Sequence, residues 1–503
     1  MRIYDAAVVG SGPTGGYAAK ALSEAGLRVI VLDAGPARWQ SEARLIVDST
    51  RRRLGYRIEE DPAAVGRQRI QSSCYAWPNH PHAFVDDLDC PYATNPDRPF
   101  AWIRSRQLGG RMVVRGHGLQ FYRFSDLEFR CGDRDGASPS WPISYDDLAP
   151  YYDRVERWMR LDGSHDGIAH LPDSILARET RLNPAELLLK AGVERTGRGR
   201  RLIACRTAAP PVPILDALRT GRCTVRSNAI VSRVLTDSQT GRAAGVEFLD
   251  RVTHRAREVA ARVVVLCASA IESARLLLLS ATRQHPAGLA NSSGAVGHYL
   301  MDHVHLGGIA ANVPVQNADR REERSWAYIP RFRNVCGPSS DFLRGYGIQV
   351  FTERDQCGLT AFGEMLPIHA NRVTLDLEQK DRWGIPVPRV MCVHRENEVA
   401  MGRDQMAACK RILESAGFEI WRLPRDVSIP GLATHEVGTA RMGADSRSSV
   451  LNGFCQSWDV DNLFVMDGSC FVSQGAQNPT LTMMALAARS CDYLIDACRR
   501  GDI

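Results

Sequence analysis

Ile3 to Val9 is a short apolar run that breaks into Gly10-Ser11-Gly12-Pro13-Thr14-Gly15 and continues as an Ala-rich helical pattern to Ala25. Gly26 stops that helix, and Arg28 to Leu32 resumes as a second strand-like run ending on Asp33. Few folds accommodate this order. Gly10 makes the tight turn, Gly12 lets backbone approach a pyrophosphate, and Gly15 lets the helix pack closely on the strand. The diphosphate then rests on the positive end of the helix, and Asp33 is positioned to accept ribose hydroxyls. The N-terminus is therefore expected to open a Rossmann-like βαβ unit that binds a dinucleotide.

The far end of the chain supplies a matching half. Leu463-Phe464-Val465-Met466 reads as a buried strand closed by Asp467-Gly468, followed by Gln477-Asn478-Pro479-Thr480 and a helical apolar repeat at Leu481, Met484, Ala485, Ala488 and Leu494. Asn478 before Pro479 has the form of a helix N-cap with Pro at the first turn. His435, in THEVGTARMG, precedes the strand. A second acidic strand end is superfluous for NAD but suits FAD, whose ribityl chain and diphosphate are held from both sides of a sheet. A neutral imidazole is a suitable base for a hydroxyl proton, and an amide N–H can stabilise a developing alkoxide. His435 and Asn478 are thus a chemically sufficient pair for oxidising an alcohol, with no metal required.

Between the ends, residues 35–100 have no clean period and read as an irregular excursion. Asp146 and Asp147 precede an apolar repeat at Leu148, Tyr151, Tyr152, Val155 and Trp158, an amphipathic helix. Pro184 to Thr196 is a further helix. Cys223 to Val234 alternates as one strand, returning through Gln239-Thr240-Gly241 to Gly245–Leu249 as a hairpin. Val263 to Cys267 is a strand buried on both faces, feeding the helix Ile271 to Leu279. From about 306 to 392 the texture changes to short alternating strands, then to a helix over 397–416 and a strand over 418–421. The expected architecture is α/β: a nucleotide domain over 1–300 and 430–503, with a substrate domain over 301–429 built on an antiparallel sheet.

The chain of 503 residues carries a diffuse net charge of +6, which offers no basic block for nucleic acid. No apolar run reaches the roughly 18 residues of a membrane span. The fourteen cysteines form neither C-x-x-C pairs nor zinc spacing, so reduced thiols and a cytoplasmic location are expected. His303 and His305 lack a third ligand for a metal.

These stretches together resemble the glucose-methanol-choline (GMC) flavoprotein oxidoreductases. The resemblance is carried by VVGSGPTGG, RSRQLGGR, WPISYDDLAPYY, VVVLCASAIESARLLL, GLANSSGAVGHYLMDH, GEMLPIHANRVTLD and HEVGTARMG through QNPTLTMMALAAR. It looks most like the bacterial branch of gluconate dehydrogenases, glucoside 3-dehydrogenases and pyranose oxidases. It implies FAD as cofactor, His435 as the catalytic histidine and Asn478 as its partner. It also implies FAD contacts at Gly10, Gly12, Gly15, Asp33, Gly109, Gly110, Arg111, Val231, Asp467 and Gly468. Some members attach FAD through a histidine; here the stretch is Met112-Val113-Val114-Arg115-Gly116-His117-Gly118, with Val114 at that place. Non-covalent FAD is expected, with Arg115, His117 and His303 as candidate substrate contacts.

The implied reaction is oxidation of a hydroxyl of a sugar, aminosugar, cyclitol or glycosylated natural product, with O2 or another electron acceptor. The alternatives are a dehydrogenase of a simple alcohol or sugar acid using a quinone or cytochrome, or a non-redox lyase with structural FAD. A homo-oligomer or an electron-accepting partner subunit is compatible with either redox reading.

Overall fold

The strands Val29–Leu32, Tyr4–Val9, Ala256–Leu266 and Leu463–Val465 run parallel, with Cys223–Arg226 at the outer edge beside Val29–Leu32. They are seen in a computed structural model that describes residues 3–37, 62–114, 120–209, 211–314 and 325–503. Their register places Val9 opposite both Leu32 and Leu266, and Leu266 opposite Val465. Gly10, Asp33, Cys267 and the Met466-Asp467 step therefore leave the sheet along one edge. In open α/β sheets that carboxyl edge is where ligands bind. The strands are apolar on both faces because helices cover them: Pro13–Glu24 and Thr480–Arg500 pack together, and Tyr145–Met159 packs on Thr480–Arg500.

Ala256–Leu266 serves two sheets. Its second half lies in the parallel sheet, while Ala256 to Ala260 pairs antiparallel with Ala243–Asp250, which in turn pairs with Ala229–Thr236. The expected single strand from Cys223 to Val234 is corrected here. It divides at Asn228, which takes φ 55°, into the parallel edge strand Cys223–Arg226 and the meander strand Ala229–Thr236.

A second, antiparallel sheet runs in the order Glu419–Arg422, Val304–Asn312, Gln356–Gly363, Tyr346–Glu353, Ser325–Ile329 and Ile203–Ala204. Its period-2 pattern explains its two faces. Ile348, Val350, Leu359 and Ala361 are buried against Met401, Ala408 and Ile412 of the helix Glu396–Ser415 and against Leu189 of Pro184–Arg195. Gln349, Phe351, Thr360 and Phe362 point the other way, into a cavity.

The strand-like run at 371–375 does not join this sheet. Arg372–Lys380 pairs with Pro386–Met391, which pairs with Ala93–Thr94 from the former excursion. This small sheet rests on the helix Ala270–Leu279, where the Arg275 guanidinium donates to the Pro386 carbonyl and to Asp381. The rest of the described excursion holds the helix Pro62–Arg67 and several single 3-10 turns. Among the described residues, no helix is long and apolar enough to cross a membrane.

Candidate active site

One cavity of about 870 Å³ extends from the parallel sheet's carboxyl edge to the polar face of the antiparallel sheet. That is near the upper end of the ~300–1,000 Å³ usual for ligand pockets. Its first wall is the turn after Tyr4–Val9. Gly10 takes φ 95°, and a Cβ there would stand 2.3 Å from the Cys267 carbonyl oxygen. A Cβ on Gly15 would stand 2.1 Å from the Gly10 carbonyl oxygen, so this glycine sets how closely helix meets strand. Gly12 is different: a Cβ on it would meet nothing within 4 Å. It borders open space beside the start of the helix Pro13–Glu24, where a diphosphate can approach the backbone.

Asp33 binds the turn from the next strand. Ser11 donates its N–H (3.0 Å) and its hydroxyl to Oδ2, and Gly35 donates its N–H to Oδ1 at 2.7 Å. Burial pushes this carboxyl up, while the Ser11 and Gly35 bonds pull against it. Gly109 and Gly110 both have positive φ, and the Gly109 N–H donates to Ser11 Oγ at 2.8 Å. Arg111 donates to the carbonyls of Thr434 and Ile103, each at 2.7 Å, and pairs with Glu436 at 3.3 Å. Val231 lines the same wall from the meander. Asp467 joins two segments: Oδ2 accepts from Ser269 N (3.0 Å) and Ser273 Oγ (2.5 Å), and Oδ1 from Ser469 N (2.9 Å). Gly468 keeps this corner thin, since a Cβ there would lie 2.9 Å from the Glu436 carbonyl oxygen. A glycine bordering empty space at a helix start, a carboxylate at each of two strand ends and a lining that spans the sheet edge fit an FAD.

His435 and Asn478 meet at the far wall. Asn478 does not cap the last helix; Pro479 occupies the cap position of Thr480–Arg500 without a side-chain cap bond. Its Oδ1 accepts from Gln349 Nε2 at 2.6 Å, and its Nδ2 lies 3.2 Å from His435 Nε2. On the other side, His435 Nδ1 lies 2.9 Å from His303 Nδ1. His303 is wholly buried behind His435 and does not line the cavity; its Nε2 is 2.9 Å from the Gly475 carbonyl oxygen. His305 does line it, with Nδ1 3.0 Å from Ser428 Oγ. Burial, reinforced by His303, His305 and Arg111, holds His435 well below the usual imidazole range. Arg115 and His117 lie outside the described residues.

Several positions carry the site without having been singled out from sequence. The buried Asp302 accepts N–H bonds from Gly431 (2.6 Å), Ala433 (3.3 Å) and His435 (3.0 Å). Met301 and Val437 exchange backbone bonds at 2.9 and 3.0 Å. Together these fasten the His303 segment to the His435 turn, in which Thr434 has φ 60°. Burial, with Glu436 nearby, pushes the Asp302 carboxyl up to about 7. Gln349, Trp326, Phe351 and Arg422 come from the antiparallel sheet. Their alternation along strands signalled a face, but only the fold tells which face is the cavity. Among the described residues, no group of three or more His, Cys, Asp or Glu could hold a metal ion.

The GMC oxidoreductase family models match residues 212–305 (the N-terminal model) and 367–487 (the C-terminal model). The chain is 29% identical to 2-methyl-1,2-propanediol dehydrogenase of Mycolicibacterium austroafricanum, over 97% of this chain and 95% of that one. It is 25% identical to the fructose dehydrogenase large subunit of Gluconobacter japonicus, over 99% and 98%. It is 27% identical to 6'''-hydroxyparomomycin C oxidase of Streptomyces lividus, over 97% and 91%. Its fold is similar to the crystal structure of pyridoxine 4-oxidase from Mesorbium loti, with TM-score 0.60 and 17% identity over 97% of this chain and 99% of that one. With both halves of the family's pattern on one continuous site, the chain belongs to the GMC oxidoreductases, a family of flavoproteins.

Proposed function

We propose that this enzyme oxidises a hydroxyl-bearing carbon of a sugar, aminosugar, cyclitol or glycosylated natural product to a ketone or aldehyde, using non-covalent FAD. The observation that carries the reading is the His435 Nε2–Asn478 Nδ2 pair, 3.2 Å apart on the cavity wall. FAD, when bound, supplies the hydride acceptor. His435 takes the hydroxyl proton at Nε2, and the Asn478 amide donates to the substrate oxygen as negative charge gathers on it. Gln349 holds that amide by its oxygen, so the donor side faces the imidazole. Gly10, Gly12, Gly15, Asp33 and Val231 hold the adenosine and diphosphate side; Gly109, Gly110, Arg111, Asp467 and Gly468 hold the side toward the ring. Val114 where a covalent attachment would use histidine supports non-covalent binding.

The substrate class draws support from relatives named for fructose and for an aminoglycoside. A relative named for a small diol supports a second reading, a simple-alcohol dehydrogenase. A relative named as a large subunit supports an electron-accepting partner subunit over O2. We also propose the division into 1–300 with 430–503 and 301–429 as cofactor and substrate units, with Ile203–Ala204 and Pro184–Arg195 contributed to the second. The free state of all fourteen cysteines supports a cytoplasmic location.

Anaerobic flavin bleaching tests the reaction. Wild type and His435→Ala are mixed with fructose, paromomycin-type aminoglycosides, cyclitols and 2-methyl-1,2-propanediol. Bleaching of the wild type alone supports base and chemistry together, and the rate at which colour returns in air separates oxidase from dehydrogenase. Bleaching of His435→Ala at the wild-type rate would overturn the assignment of the base.

A further inference from the structure

The His435 ring has two nitrogens, and only an unprotonated Nε2 can take a proton from a hydroxyl in the cavity. A histidine side chain free in water favours the opposite arrangement, with the proton on Nε2. Something in the protein must reverse that preference.

The hydrogen bonds behind the ring do so in one direction. The Gly475 carbonyl oxygen, 2.9 Å from His303 Nε2, can only accept. His303 Nε2 therefore carries a proton. His303 is wholly buried, and burial lowers its pKa to about 3, so the ring is neutral and its Nδ1 is a bare lone pair. That lone pair faces His435 Nδ1 at 2.9 Å, and two lone pairs do not share such a distance. His435 Nδ1 must carry the proton between them, which leaves Nε2 unprotonated. The cavity side agrees independently: Asn478 Oδ1 accepts from Gln349 Nε2, so Asn478 turns its N–H groups toward His435 Nε2, a nitrogen that must accept.

We infer that His303 is a positioning residue that, anchored on the Gly475 carbonyl, fixes His435 in the Nδ1–H tautomer and so keeps Nε2 ready as a base. Its catalytic meaning rests on the reading of His435 as base, but the tautomer itself does not. The same contacts orient the ring. The two imidazoles cross at 86° with centroids 5.0 Å apart, so His303 meets the edge of His435 that bears Nδ1. Asp302, next in sequence, binds the His435 N–H, so one short segment fixes both the backbone and the ring of the base.

The test reads the tautomer without turnover. The FAD-loaded protein is labelled with 15N-histidine, and its ring nitrogens are observed by two-bond 15N–1H correlation at neutral pH. The His435 signals are those absent from His435→Gln. The expected wild-type pattern is a protonated Nδ1 and an unprotonated Nε2. In Asn478→Ala, where His303 alone faces the ring, that pattern is expected to persist; in His303→Phe/Asn478→Ala, with neither the Nδ1 acceptor nor the Nε2 donor left, the proton is expected to move to Nε2. In His303→Gln/Asn478→Ala, whose glutamine amide can donate or accept, both nitrogens are expected at intermediate shifts. FAD absorbance per chain confirms that each variant is folded, and His303→Gln/Asn478→Ala suffices if His303→Phe/Asn478→Ala does not fold. A protonated Nε2 in the wild type or in Asn478→Ala, or an unchanged Nδ1–H pattern in the folded double variants, would overturn the inference. Loss of the base role in the bleaching experiment would leave this tautomer result untouched, so the two failures are distinguishable.

Discussion

Asn478 turns its amide away from the helix it precedes and onto Nε2 of His435, 3.2 Å away. An amide used as a cap stabilises a helix; an amide held in this way keeps its second N–H free for an oxygen that approaches the same imidazole nitrogen. The two roles make opposite predictions for one substitution. Asn478→Ala is expected to slow flavin reduction by about 10²–10³-fold, the cost of removing one oxyanion donor. Its thermal stability should fall by less than the ~1 kcal/mol that loss of a cap costs. Stopped-flow reduction and a melting curve on the same preparation check both halves.

The acid limb of the reaction should lie low. His435 is pushed down by burial first and by its neighbours second, so it stays neutral well below pH ~6.5, where an ordinary imidazole gains its proton. The rate of flavin reduction is expected to hold steady as pH falls through that value and to decline only below it. A limb centred on the ordinary imidazole value would mean that solvent reaches the ring freely.

Two glycines of the first turn should fail in different ways. Gly12→Ala adds a methyl group to open space, so the apoprotein should melt close to wild type while bound FAD per chain drops several-fold. Gly10→Ala drives a methyl group into the Cys267 carbonyl oxygen and demands φ 95° of a residue with a Cβ. It should lower the melting temperature of the apoprotein itself. Absorbance of bound flavin and differential scanning fluorimetry separate the two.

Asp302 holds three backbone N–H groups in a turn where Thr434 has φ 60°. Asp302→Ala leaves these donors without their acceptor, at about 1–3 kcal/mol for each that stays buried. A large loss of stability is expected, with little recoverable activity. Thr434→Gly relaxes the strained turn and should be neutral or stabilising by up to about 1 kcal/mol, while slowing flavin reduction if the turn loosens around His435. Urea denaturation of both variants checks the order.

The parts of the site that were legible in the sequence are those a local stretch can encode. Gly10 to Gly15 with Asp33 is a strand, a turn, a helix and a strand in succession, and each glycine's position carries its own steric reason. Leu463 to Gly468 announces a buried strand by its apolar run and the turn that ends it. His303 was legible as a candidate but not in its place, because its partner is 132 residues away and nothing local tells which side of a ring faces a cavity. The same limit explains the strands. Alternation continues across Asn228, so Cys223 to Val234 reads as one element, and the left-handed turn that divides it leaves no apolar signature. Pro386–Met391 finds Ala93–Thr94 only once the chain is folded.

The strand Leu463–Val465 is the last to enter the parallel sheet, and it brings Asp467 and Gly468 with it. The Gly10 turn and this opposite jaw of the same cavity come from widely separated stretches of sequence. A truncation that removes Leu463–Gly468 would therefore leave one jaw of the cavity facing nothing, however well the first βαβ unit folds.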